Sequence, residues 1–448
     1  MFFDECYNFL LQKSDIFWWQ LYGVKVNSFQ KLYESDSLGS LLPHQIREVD
    51  EFSCSLDILV LLEKEDRVGK AYLDLSPAIS LESQWEKALE LAYSNPNKKW
   101  LPVKPSSEPY VSLSTSDDQI INDPESVLME VEKDVNQEIK ALEGVQVTTA
   151  EIYVRNKQVT RRSSTGLFTE KNLSDIYFEI AMEKSPDHKS QEVNNVLTSV
   201  SKKDLCVKKF IEKTASETRS LGYVQEPTTN AKAQILVDED AISSFMLALK
   251  SQLNCSNEYQ HFPFLKKGDV LESQGDRLSL TLDPFIPQMI DSSPFTAEGL
   301  SSRSSQVIED GKVINTVIGN RFGQYLGYEP NGICGNMIVP QGKFSLDELR
   351  VKGVEVIEII KFSSLLVDDH KLTWSSEIKL AKQYRSDGSV TWLKGGVVSG
   401  DLRDNLRHCY FSKEMATVNF PSTGFYEGKG YKGPAGMLIL EGVSVVGS

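Results

Sequence analysis

The chain has 448 residues and a formal net charge of −15 at pH 7, from 48 Lys and Arg against 63 Asp and Glu. That length exceeds one ordinary hydrophobic core and predicts two domains. The acidic balance argues against a nucleic-acid partner, because affinity for a polyanion rests on Lys and Arg neutralising phosphates. The six cysteines (Cys6, Cys54, Cys206, Cys255, Cys334, Cys409) are scattered with no C-x-x-C pair, the pattern of reduced thiols in a cytoplasmic protein. No apolar run approaches the roughly 20 residues that span a bilayer, so no membrane association is expected. The first residues are acidic and lack the basic start of a signal peptide.

In chain order, residues 2–13 read as a short amphipathic helix, followed by strands at 16–26, 54–62 and 69–74. A helix at 81–93 repeats Leu81, Trp85, Ala88, Leu89 and Ala92 at helical spacing. After a Pro- and Ser-rich stretch at 102–125, Asp123 is placed to cap a helix that has Pro124 at its first position. Leu128, Val131, Val135, Ile139 and Leu142 form its apolar stripe, and Gly144 ends it. Strands are expected at 145–155 and 158–165, joined across Asn156-Lys157, and at 175–183, with a closing helix at 203–221. This order is α-β-β-β-α written twice.

The polar segment 222–231 marks the domain boundary, with domains at 1–228 and 229–448. Beyond it come a strand at 234–237, a helix at 240–253, and short Gly-punctuated strands at 277–282, 305–309, 312–318, 353–361, 376–384, 389–394 and 436–446. The fold class is α+β: an N-terminal α/β domain of two α-β-β-β-α units, then a large, mainly antiparallel, closed or partly closed β-rich domain.

Few residues suggest chemistry on their own. His44, His188, His261, His370 and His408 show no metal-ligand spacing. His370 follows Asp368-Asp369 but reads more simply as a loop or satisfied histidine, and adjacent His408 and Cys409 would point in different directions. Gly428-Lys429-Gly430-Tyr431 opens a Gly-rich run without the GK[ST] ending or following helix of a phosphate cradle, and reads as flexible turns. Trp18-Trp19 predicts one core and one exposed indole, with an interface as the other use. Arg161-Arg162 reads as a solvated hairpin edge.

The segment 283–336 carries a resemblance. Ser293-Pro294-Phe295, Glu298-Gly299, Ile308-Glu309-Asp310-Gly311-Lys312-Val313 and Tyr325-Leu326-Gly327 resemble the signature region of the TldD/PmbA family, once described as modulators of DNA gyrase and read as metallopeptidases. Gly342-Lys343-Phe344-Ser345 with Glu348-Leu349, Ser399-Gly400-Asp401-Leu402 and the terminal run 440–447 extend it, as does Ser163-x-x-Gly166 in the first half.

The active TldD-type subunit carries a His-Glu-x-x-x-His helix and a further Cys, and neither motif occurs here. Matched on Phe245-Met246, the slots fall on Leu247, Ala248 and Gln252, and the segment 422–433 has no Cys. Leu and Ala offer zinc no lone pair, and no Glu remains to serve as general base. The resemblance therefore implies a TldE-like (PmbA-side) subunit with no cofactor of its own and no catalytic residues. Zinc would lie in a TldD-like partner, and Gly428, Lys429, Gly430 and Tyr431 would line a cleft for unfolded or modified peptides. The alternatives are a homodimer, or a self-contained enzyme of a peptide or natural-product pathway with a relocated site.

Overall fold

The computed structural model describes residues 2–14, 16–35, 41–63, 66–184, 192–230, 232–420 and 428–447. The N-terminal elements are α1 (Phe2–Leu11), β1 (Trp18–Ser35), β2 (Leu41–Leu61), β3 (Arg67–Leu75), α2 (Leu81–Ser94), β4 (Pro96–Lys98), α3 (Asp118–Asn122), α4 (Pro124–Ile139), β5 (Val145–Ser163), β6 (Phe168–Lys184), β7 (Glu192–Ser199) and α5 (Val207–Ser220). The seven strands form one sheet in the order β4-β3-β2-β1-β5-β6-β7, with every pairing antiparallel.

The doubled unit is visible in this order. α1-β1-β2-β3-α2 and α4-β5-β6-β7-α5 each build half the sheet, and the halves join through the long β1–β5 pairing. Asp123 caps α4 as expected, its carboxylate accepting from the Ser126 amide at 3.0 Å. Several expectations need correction. The hairpin at Asn156-Lys157 does not exist: β5 runs straight through, because Asn27 and Val26 of β1 pair with these residues. β7 is an additional strand, and the antiparallel sheet makes this domain α+β rather than α/β.

One face of the sheet packs beneath the helices. Trp19, Leu21, Cys54, Leu56 and Ile58 meet α1 and α2, while Ile152, Val154, Ile176, Phe178 and Ile180 meet α4 and α5. The other face is covered by the second domain, so both tryptophans are buried: Trp19 under the helices, and Trp18 with Trp100 and Tyr325 at the domain contact.

The C-terminal elements are β8 (Val224–Gln225), β9 (Gln234–Asp238), α6 (Glu239–Gln252), α7 (Cys255–Tyr259), β10 (Leu280–Asp283), β11 (Ser305–Glu309), β12 (Lys312–Val313), α8 (Asn320–Leu326), β13 (Asn336–Ile338), α9 (Leu346–Lys352), β14 (Val356–Phe362), β15 (Leu366–Asp368), β16 (Thr373–Tyr384), β17 (Val390–Leu393), β18 (Val397–Asp401), α10 (Leu402–Arg407), β19 (Cys409–Phe411), β20 (Met415–Phe420), β21 (Lys429–Pro434), β22 (Gly436–Ile439) and β23 (Val443–Val446). One sheet runs β12-β11-β10-β13-β21-β20, and the other β19-β22-β9-β14-β16-β17-β8, with β15, β18 and β23 attached beside β16. Both strand paths are open among the described residues. Pairing is mainly antiparallel, with parallel contacts at β9–β14, β13–β21 and β8–β17. Because β8 already pairs with β17, the chain enters this domain at Val224, slightly before the boundary expected at 228. The strand expected at 436–446 is two, β22 and β23, separated by a turn at Gly442, whose φ is +79°.

The signature segment shapes the domain contact. The Glu298 carboxylate accepts from the first amides of α8, Asn320 at 2.5 Å and Arg321 at 3.2 Å, and so satisfies donors that a helix start leaves open. Tyr325 of that helix donates to the Lys98 carbonyl at 2.7 Å, and Lys98 donates back to the Tyr325 carbonyl at 2.8 Å. Asp310-Gly311 makes the β11–β12 turn with φ of 45° and 80°. Ser345 and Glu348 form a capping box on α9. Among the described residues, no helix is long and apolar enough to cross a membrane.

Candidate functional site

The helix matched to the metal helix is α6. It leaves β9, whose Ile235, Leu236 and Val237 are buried between β14 and β22, so its start is held rigidly. Asp238 caps it by accepting from the Ala241 amide at 3.1 Å. Ala241, Ile242, Phe245, Met246 and Leu249 pack into the core. Ser244, Leu247, Ala248 and Ser251, spaced 3-1-3 along one face, line a cavity of about 600 Å³.

The cavity lies between the domains. β7 contributes Asn195, α5 contributes Lys213 and Glu217, and the second domain supplies Asp238, Asp240, Lys361, Asp369, Phe420 and Lys429. These polar groups largely satisfy one another. The Asn195 amide donates to Glu217 at 2.8 Å and to Thr214 at 3.0 Å, while its oxygen accepts from Lys361. Ser251 donates to the Asp369 carboxylate at 2.7 Å, and Lys429 donates to Ser244 at 3.1 Å. Burial, reinforced by Asp240 and Glu239, pushes the Asp238 carboxyl up to about 7. Burial also lowers the Lys361 and Lys429 ammonium groups below their usual range, against the pull of nearby carboxylates.

Of the matched slots, Leu247 and Ala248 face this cavity, and neither has an atom able to ligate zinc. Gln252 is wholly buried, and its amide donates to the carbonyls of Asp369 and His370, both at 2.8 Å. The three side chains do not fit a zinc site. Among the described residues, no group of three or more His, Cys, Asp or Glu is placed to hold a metal.

Of the expected cleft residues, Lys429 reaches the cavity. The segment is not a run of flexible turns: β21 begins at Lys429 and is held between β13 and β20. Gly428 immediately precedes the strand, and residues 422–427 of the expected loop lie outside the described residues. Gly430 passes so close to Asn336 that a Cβ would sit 2.0 Å from its side-chain oxygen. Tyr431 is a core residue rather than a cleft residue, wholly buried with its hydroxyl donating to the Pro434 carbonyl at 3.1 Å.

His370 stacks on Phe262 with ring centres 4.4 Å apart, but its buried Nδ1 has no hydrogen-bond partner among the described residues, so it is not the satisfied histidine expected. Cys409 is buried, and burial pushes its thiol up to about 12, the opposite of an activated nucleophile. Arg161 is not a solvated edge: it lies mid-sheet beneath the second domain with 7% of its surface exposed. Sequence reasoning missed Asn195, Lys213, Glu217 and Arg161 because each takes its role from a partner in the other domain or an adjoining strand. Their polar character amid apolar alternation was the available signal.

Residues 230–446 match the model of the PmbA/TldA metallopeptidase C-terminal domain. The second domain is therefore of a metallopeptidase-related class. The whole chain shares its fold with solved structures. A modulator of DNA gyrase from Thermotoga maritima superposes with a TM-score of 0.75 at 17% identity, covering 99% of this chain and 98% of that one. TldE from Thermococcus kodakarensis gives 0.77 at 15% identity, covering 99% and 100%. A modulator of DNA gyrase from Bacteroides thetaiotaomicron gives 0.76 at 17%, covering 100% and 98%. No curated protein matches the chain in sequence. Over residues 230–446 the chain carries the C-terminal domain of the TldD/PmbA family, and its whole length shares the fold of these structures.

Proposed function

We propose that this chain is a TldE-like, non-catalytic subunit of a two-chain metallopeptidase that acts on unfolded or modified peptides in the cytoplasm. The observation that carries the reading is the cavity face of α6. It retains a pocket of about 600 Å³ where a metal helix would work, yet presents Ser244, Leu247, Ala248 and Ser251 to it. The partner, a TldD-like chain, would bring zinc and the general base. This subunit would bring walls that hold the peptide, by backbone pairing at a sheet edge and by charged side chains such as Lys429 and Asp240. Backbone pairing suits a cleft that accepts many sequences, because it reads no side chain.

The same reading assigns no zinc and no hydrolysis to the chain by itself. The test is elemental analysis and peptide hydrolysis on the purified chain. Absence of stoichiometric zinc and of turnover is expected. Stoichiometric zinc with turnover, both abolished by substituting His370 or His408, would instead favour a self-contained enzyme with a relocated site.

A further inference from the structure

A second cavity, of about 570 Å³, lies over the helix-free face of the N-terminal sheet. That volume is typical of small-ligand pockets. Its floor is a row of cross-strand neighbours. Ser55 of β2 pairs with Tyr22 of β1, and Tyr22 pairs with Arg161 of β5. Lys171 of β6 pairs with Val159, two residues from Arg161 and on the same face. The roof is the signature segment, with Asp291, Ser293, Phe295 and Cys334 lining it beside Lys250 of α6.

The charges in this cavity are unequally satisfied. Lys250 is paired, donating to the Gly335 carbonyl at 2.8 Å and to Asp291 at 3.4 Å. Asp57, at the far wall, is paired through Oδ2 with Lys70 at 3.2 Å, while its Oδ1 has no hydrogen-bond partner among the described residues. Arg161 is 93% buried by its 7% exposure, and its Nε and Nη1 atoms have no hydrogen-bond partner among the described residues. Its guanidinium lies 5.5 Å from the Tyr22 ring centre, and the Glu298 carboxylate acts on it through space while bonded to the α8 amides. Lys171 makes one long contact, donating to Ser293 at 3.4 Å, with the Phe295 ring 5.9 Å away. Burial lowers both cations from their usual values, and the nearby charges of Lys157 and Arg161 lower Lys171 further.

A buried guanidinium with two open donors destabilises the fold unless something satisfies it. Each open guanidinium N–H is a strong, charge-assisted donor to a carboxylate or phosphate oxygen. Arg161 and Lys171, with Lys157 acting on Lys171 through space, outweigh Glu298, and Lys250 cancels Asp291, so the cavity is net positive and suits an anion. The Tyr22 and Phe295 rings beside the two cations suit one carried on an organic carbon.

We propose that this cavity binds a carboxylate, held by an open N–H donor of Arg161 and by the ammonium of Lys171, with Tyr22 and Phe295 flanking the carbon attached to it. The assignment rests on the cavity alone and stands or falls separately from the subunit reading. The carboxylate can be a peptide C-terminus or a free organic acid.

Calorimetric titration of the purified chain with acetyl-trialanine, its C-terminal amide, propionate and inorganic phosphate tests the proposal. The free acid should bind at least tenfold more tightly than the amide, and Arg161→Met should abolish the difference, with Lys171→Met weakening it. Propionate binding as tightly as the peptide acid would assign the site to organic acids, whereas a clear peptide preference would assign it to chain termini. Either result supports a carboxylate site. Equal binding of acid and amide, tighter binding of phosphate, or an unchanged Arg161→Met titration would overturn it. Melting of ligand-free Arg161→Met separates a ligand group from a structural one. A binding residue is replaced with no loss of Tm, whereas a large fall, or failure to fold, would show that the guanidinium holds the domains together and would refute the proposal.

Discussion

The two cavities between the domains are of similar size but opposite in how their charges are settled. Beside α6, Asn195 bonds Thr214 and Glu217 and, across the domain boundary, Lys361, while Ser251 bonds Asp369 within the second domain. Over the sheet, Arg161 has open donors on two nitrogens. The difference teaches how to separate charges that assemble a wall from charges kept for a ligand. A group of the first kind is costly to remove, because its partners stay buried without it, whereas a group of the second kind is costly to keep.

Substitutions can break or sharpen this contrast. The largest effect is expected for Asn195→Leu, which removes the partner of Glu217 and Lys361 together, while Thr214 keeps its bond to the Phe210 carbonyl. It should cost about 3 kcal/mol in denaturant unfolding, and a cost near zero would show that the network contributes no stability. Glu298→Ala removes the acceptor of two α8 amides and loosens the helix that joins the domains. It should cost about 2 kcal/mol, with easier proteolysis near the domain contact.

Asp238→Asn should act in the opposite sense and only above acid pH. In the folded chain burial raises this carboxyl to about 7, from 3.8 when exposed. The folded state therefore holds a proton that the unfolded state releases, and the wild type loses stability as pH rises from about 4 to about 7. Asparagine caps a helix as well as aspartate. The variant should match the wild type at pH 4 and exceed it by up to about 4 kcal/mol at pH 8. A gain at pH 4, or none at pH 8, would contradict this. Lys429→Met should be the mildest, within about 0.5 kcal/mol, since burial already disfavours its charge. Its effect should appear in peptide affinity of the assembled enzyme instead.

Much of this was legible in the residues. The stripes of α2, α4 and α6, the Asp123 cap and the Asp310-Gly311 turn are local, and each follows from spacing alone. The doubled order also survives in the element sequence. What was not legible depends on partners distant in the chain. β5 reads as two strands because Asn156 and Lys157 resemble a turn, yet β1 pairs with them from about 130 residues away. Arg161 reads as a solvated edge because its cover, the signature segment, lies in the other domain. Tyr431 sits in a Gly-rich run that suggests a loop, but β13 and β20 enclose it. The α6 slots were placed by resemblance, and their spacing agrees with the cavity only for Leu247 and Ala248.

The central claim is that this chain completes the cleft of a partner that carries the metal. It is tested most directly by mixing the purified chain at micromolar concentration with a paralogue bearing His-Glu-x-x-x-His, then following co-elution and hydrolysis of an unfolded peptide. The account predicts one co-eluting species, activity far above either chain alone, and loss of that activity on chelating the partner's zinc. Separate elution, with the paralogue equally active by itself, would contradict it.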